Sequence, residues 1–147
     1  MSVFEQLNFF GQSRLPVVLQ TESAECGLAC MAMVSSYHGF VTDLASLRSR
    51  FSISTRGVSL DDLMGMSERM NMDAQAMRLE LDELDQLPTP CILHWDMNHF
   101  VVLKKVNGHK VEIHDPARGH VVLNISEVSE HFTGVALVAT PNIRFEQ

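Results

Sequence analysis

The run "HFVVLKKVNGHKVEIHD", residues 99–115, restricts the fold more than any other stretch of the chain. Two segments rich in apolar and β-branched residues flank Asn107-Gly108, which is the strongest local signal for an antiparallel hairpin. Two registers are open. A two-residue Asn-Gly loop pairs Val101 with His114 and His99 with Pro116. A three-residue loop, Val106-Asn107-Gly108, with the glycine left-handed, pairs Val101 with Ile113, Leu103 with Val111 and His99 with Asp115. The second register sets apolar residues against each other, as a half-buried ladder prefers, and is the one expected here. It also brings an imidazole and a carboxylate together at the open end of the hairpin.

Further strands are expected in "DAQAMRLEL" (73–81), "PCILHW" (90–95), "HVVLNI" (120–125) and "GVALVAT" (134–140), with one or two helical turns in "SEVSEHF". The first half of the chain reads as helices. One is expected over Ala24–His38, with Ser23 as N-cap, the charge of Glu25 near its positive end and Gly39 as its stop. Cys26, Ala29, Cys30, Met33 and Tyr37 recur at three- and four-residue spacing and mark one face. "TDLASLRSRF" (42–51) is a second helix, capped by Thr42 or Asp43. "SLDDLMGMSERM" (59–70) is a third, with Ser59 as cap and Asp62 completing a capping box. Helices followed by an antiparallel sheet make an α+β fold in which the helical part packs on the sheet.

With 147 residues, 46% of them apolar, the chain suits one compact domain with a proper core. Its net charge of −7, with no basic run, argues against nucleic acid and is compatible with a basic or amphipathic peptide ligand. Three cysteines without dense spacing do not make a disulfide framework, which implies a reducing compartment, most simply the cytosol. "MSVFEQLNFFGQSRLP" lacks the layout of a signal peptide, and no apolar run reaches membrane-spanning length.

The chemistry centres on "QTESAECGLACMAM" (20–33). Cys26 could be a nucleophile, half of a redox or metal pair, or a small buried residue. A helix N-terminus favours the thiolate. A neighbouring imidazole would complete its activation and later protonate a leaving amine, while an acid fixes the ring's tautomer. A glutamine amide suits an oxyanion hole. Gln20, Cys26, His99 and Asp115 occur in the order of parts found in papain-like cysteine proteases.

The stretches "LPVVLQTESAECGLACMAMVSSYHG", "TDLASLRSRF", "GVSLDDLM", "NHFVVL" and "IHDPARG" resemble the peptidase C39 family. These are N-terminal domains of bacteriocin-exporting ABC transporters, here most similar to the colicin V type. The resemblance implies a papain-like fold and cleavage of a leader peptide after a double-glycine-type pair, coupled to export. It places Gln20 in the oxyanion hole, with Cys26 as nucleophile, His99 as base and acid, and Asp115 as the residue orienting His99. Where the family often has aspartate before the nucleophile, this chain has Glu25.

The organisation implied is an extension over 1–13, a peptidase domain over 14–140 and, over 141–147, the start of a linker toward a transmembrane domain. No cofactor is expected for the domain; ATP and magnesium belong to a nucleotide-binding domain elsewhere in the transporter. The expected partners are the leader peptide and the transporter's other domains, at the cytoplasmic face of the bacterial inner membrane. The isolated domain is expected to be monomeric and the transporter dimeric.

A binding module that docks substrate without cutting it would have lost one of the four site residues. A free-standing thiol hydrolase or transglutaminase with the same triad is a more distant option. Cys30 reads as packing, and Cys26, Cys30 and Cys91 lack the paired spacing of a zinc site. His94, with Asp96 nearby, is the competing candidate for the base. His38 reads as a cation at a helix end, and His109, His114, His120 and His131 as surface or strand-edge residues. Met64, Met66, Met70, Met72 and Met77 read chiefly as flexible core filling, with an apolar groove for a leader helix as the alternative.

Overall fold

The structure is a computed structural model that describes residues 14–143. The expected extension over 1–13 and residues 144–147 of the expected linker lie outside the described residues. A 3-10 turn, Ser23–Glu25, leads into α1 (Cys26–Tyr37), followed by α2 (Leu44–Arg50) and α3 (Leu60–Arg69). The strands are β1 (Met72–Arg78), β2 (Cys91–Trp95), β3 (His99–Asn107), β4 (Lys110–Asp115), β5 (Gly119–Asn124) and β6 (Phe132–Pro141). A second 3-10 turn, Leu81–Gln86, precedes β2, and α4 (Ile125–Val128) precedes β6. The strands form one six-stranded sheet in the order β1-β6-β2-β3-β4-β5, antiparallel throughout. The α+β expectation holds.

Alternation along the central strands builds two cores. Ile92, Phe100, Val102, Leu137 and Ala139 face the helices and pack with Leu28, Met31, Met33 and Leu63. Their neighbours Cys91, Leu93, Trp95, Val101, Leu103, Ala136 and Val138 face the other way. On that side Leu84 of the second 3-10 turn and Val128 of α4 close the core. The methionines belong largely to the first core, with Met66, Met70 and Met72 buried and Met64 packed against them. Core filling is therefore their main role.

Two expectations for α1 are corrected. Its apolar residues do not mark one face, because every residue from Cys26 to Ser35 is buried. The reason is position: α1 lies between β3 on one side and α2 and α3 on the other. Ser23 is not its cap either, since Ser23–Glu25 is a separate 3-10 turn and Cys26 is the first α-helical residue. The other helix signals hold. Asp43 Oδ1 accepts from the Ser46 amide at 2.8 Å, and Ser59 and Asp62 exchange cap hydrogen bonds at 3.1 and 2.9 Å. Gly39 ends α1 with φ +111°.

The hairpin register matches neither alternative. Asn107 pairs with Lys110, Val106 with Val111, Leu103 with Ile113 and Val102 with His114, with a bulge between Leu103 and Lys105. The loop is Gly108-His109, with Gly108 at φ +63° in its first central position, a place where two-residue hairpin loops favour glycine. Without the extra residue at Lys104, this loop would set Leu103 opposite His114. The bulge restores an apolar pair and keeps both faces of β3 buried correctly.

Candidate active site

Three chain segments meet at the open end of the β3–β4 hairpin. Carrying the register one residue past Val102–His114 sets Asp115 across from Val101, a diagonal step from His99, which is within reach of long side chains. His99 Nε2–H donates to Asp115 Oδ1 at 2.7 Å. The carboxylate is fixed in turn, because its Oδ1 also accepts from the Ala117 amide at 2.9 Å. The expected His99–Asp115 contact therefore forms, though through a different register.

Cys26 is the first residue of α1 and lies beside His99, near enough to raise its pKa. Because Nε2 is committed to Asp115, Nδ1 is the ring nitrogen left for the thiol. Burial alone would pull the His99 imidazolium down. The hydrogen bonds and negative charges of Asp115 and Cys26 outweigh it and hold His99 at about 9. Burial tends to raise Asp115, but the bond from His99, the Ala117 amide and nearby Arg118 bring it below its ordinary value. The arrangement thus favours a charged imidazolium on a charged carboxylate, beside a thiol at a helix start.

Gln20 is tied in by its backbone, whose amide donates to Pro116 O at 2.9 Å, directly after Asp115. Its side chain lines a cleft of about 540 Å³ together with Ser23, Ala24, Asn98, His99 and Asp115. Gln20 Oε1 is buried without a hydrogen-bond partner among the described residues. An amide so placed is free to direct its N–H group at a bound group. The structure therefore brings together all four residues singled out in the sequence.

The remaining candidates separate cleanly. Cys30 is fully buried, and burial, then the nearby Cys26 and Asp115, push its thiol up. Burial pushes Cys91 up to about 12. His94 does not compete as base, since Nδ1 meets the Thr133 hydroxyl and Nε2 the Met97 carbonyl, both at 2.9 Å. His38 is not a cationic helix end, because burial lowers its pKa. His114 is no surface residue; it is 2% exposed and donates to Pro16 O at 2.8 Å.

Two features were not anticipated. His131 lines the cleft, stacks on Trp95 at 5.3 Å and bonds Asp96 at 2.7 Å. Nothing local in "SEHF" foretells this, as it depends on β6 lying beside β2. Glu25, read only as a charge near a helix end, is 6% exposed and makes four polar contacts with the chain around it, three of them hydrogen bonds at its carboxylate. Its sequence signal was a carboxylate wedged between Ala24 and the apolar start of α1. Beyond the cleft, and sharing Arg56 and Asn98 with it, lies a cavity of about 600 Å³ walled by Val58, Leu60, Met97, Phe100 and Val135.

Comparison with known proteins follows the same direction. The model of the Peptidase C39 family matches residues 14–144. The chain is 48% identical over 143 residues to the probable microcin-H47 secretion/processing ATP-binding protein MchF of Escherichia coli, covering 97% of this chain and 20% of that one. It is 47% identical over 144 residues to the colicin V secretion/processing ATP-binding protein CvaB of Escherichia coli, covering 98% of this chain and 21% of that one. The chain thus spans about a fifth of the length of these relatives. Among solved structures, a double glycine motif protease from an AMS/PCAT transporter, in complex with the leader peptide, superposes with a TM-score of 0.82 at 34% identity, covering 90% of this chain and 96% of that one.

Proposed function

The chain belongs to the peptidase C39 family, and on that premise we propose that it is a cysteine endopeptidase acting on leader peptides. Its substrate is the precursor of a bacteriocin- or microcin-type peptide, cut after a double-glycine-type pair. It serves as the N-terminal domain of the ABC transporter that exports the product. The observation that carries this reading is the contact chain Asp115–His99–Cys26, with His99 held charged to about pH 9. The two secretion/processing relatives and the leader-bound protease support the substrate class.

In this reading the Cys26 thiolate attacks the carbonyl carbon of the second glycine. The Gln20 amide and the main-chain N–H at the start of α1 take up the charge developing on the oxygen. His99 gives its proton to the leaving amine, which departs as the new N-terminus of the mature peptide. Asp115 keeps the ring aligned and stabilises its charged form. Water, deprotonated by the now neutral His99, then hydrolyses the thioester, expelling the Cys26 thiolate and restoring the imidazolium beside it. No cofactor enters these steps; ATP and magnesium would serve the transporter's nucleotide-binding domain. The cavity walled by Val58, Leu60, Met97, Phe100 and Val135 suits the apolar face of an amphipathic leader. We place the domain at the cytoplasmic face of the inner membrane, monomeric alone and paired in a dimeric transporter.

The test is cleavage of a synthetic precursor with a double-glycine leader, with the cut located by mass spectrometry. Wild-type protein should cut once after the second glycine. Cys26→Ala should bind the leader and leave it intact. Folded wild-type protein that leaves every such leader uncut would overturn the reading.

A further inference from the structure

Among the described residues Glu25 is, with Asp115, one of two buried carboxylates, and its contacts point at one short segment. Oε1 accepts from the main-chain amides of Thr21 and Glu22, each at 3.1 Å. Oε2 accepts from Arg48 Nε of α2 at 2.7 Å. The Glu25 amide donates back to Glu22 O at 3.0 Å. These amides directly follow Gln20, whose own amide is tied to Pro116 O. From these contacts we infer that Glu25 is the positioning residue of the oxyanion hole: with Arg48 as its anchor, its carboxylate clamps residues 21–22 and so fixes Gln20 relative to Cys26. This rests on the proposed peptidase reading.

The physical argument is one of alternatives. A carboxylate that is 6% exposed is costly to bury unless its oxygens are satisfied. The Arg48 guanidinium holds Glu25 below its ordinary pKa against the pull of burial, and the Glu22 and Thr21 amides add to this. The segment it grips runs between two site residues and has no strand or α-helix of its own to stiffen it. Displacement of an oxyanion donor by a fraction of an ångström costs turnover while leaving ground-state binding almost untouched.

The experiment is a cycle of Glu25→Ala, Gln20→Ala and the double variant, with kcat, KM and Cys26 alkylation measured on folded protein. Glu25→Ala should lower kcat by roughly 10- to 100-fold, less than the roughly 100- to 1,000-fold of a donor removed outright, because Gln20 is displaced and not lost. KM and alkylation should stay near wild type. The double variant should be no worse than about threefold below Gln20→Ala alone, since residues that act as a unit are not additive. Losses that multiply, or a fall in alkylation that matches the fall in kcat, would overturn the clamp.

Glu25→Gln keeps the volume and an oxygen acceptor, and Arg48, 45% exposed, can turn to water. It covers the case in which Glu25→Ala does not fold. Its kcat should remain within about threefold of wild type if the amide bonds carry the effect; a loss as large as that of Gln20→Ala counts against it. Hydrogen exchange at the Thr21 and Glu22 amides reads the clamp with no substrate present. Exchange should be slow in wild type and Glu25→Gln and fast in Glu25→Ala, and unchanged exchange in Glu25→Ala overturns it. A wild type that cuts no leader refutes the peptidase reading instead, and leaves the exchange data to decide the clamp.

Discussion

At the scale of single residues, His99 decides the pH behaviour. It is the imidazolium that Asp115 and Cys26 stabilise, so the folded state holds this proton more tightly than the unfolded chain, from 6.5 up to about 9. The stability it contributes is fully present below about pH 6.5 and is lost as pH rises through about 9. Turnover that needs the imidazolium as acid should show an alkaline limb in the same region. Asp115→Asn removes the neighbouring charge while burial still opposes ionisation, so the limb should move down by about 1–3 units. A pH profile of kcat/KM on both proteins checks this, and a limb that stays in place would detach it from His99.

At the scale of elements, the site depends on how closely the segment before α3 approaches the start of α1. Gly27, next to Cys26, makes room for it, since a Cβ there would come within 2.3 Å of Val58 Cγ2. Gly57 comes close as well, and its φ of +95° suits glycine. Gly27→Ala should therefore cost about 1–3 kcal/mol, the range for overpacking a filled site. Adding Val58→Ala should recover most of that loss. Urea unfolding of the two variants would show it, and a Gly27→Ala protein as stable as wild type would mean that Val58 yields freely. The hairpin carries a second lesson at this scale. Its bulge at Lys104 lets a two-residue turn coexist with apolar pairing on both sides, and it sets the His99–Asp115 diagonal.

At the scale of the molecule, the sheet and the helices bury all three cysteines, but Cys26 alone lies beside His99, a residue of the cleft wall. Cys30 and Cys91 are 0% and 1% exposed, and burial raises both thiols. Cys26, although only 5% exposed, is the one whose neighbour is an imidazole of the cleft wall. Iodoacetamide on native protein should therefore label one thiol, Cys26, and on unfolded protein all three. Intact-mass measurement counts the adducts, and a second native label would mean that the core opens on the labelling timescale. Cys30→Ala should keep most of the activity and lose stability, as a packing residue does.

The sequence by itself determined the class of fold, the run of helices before strands and the four residues at the site. Alternation, caps and turn residues act locally, and a Gln-Cys-His-Asp order with family motifs is written in one dimension. Only the tertiary structure decided the rest. A bulge does not show in a hydrophobic pattern, because it moves one residue without changing which residues are apolar. The burial of α1 on all sides needs a sheet and two helices around it, so its apparent stripe at Cys26, Ala29 and Met33 described only part of its surface. Glu25 and His131 gain their partners, Arg48 and Asp96, 23 and 35 residues away. Contacts at such separations exist only once the chain has closed on itself, since no short-range preference encodes them.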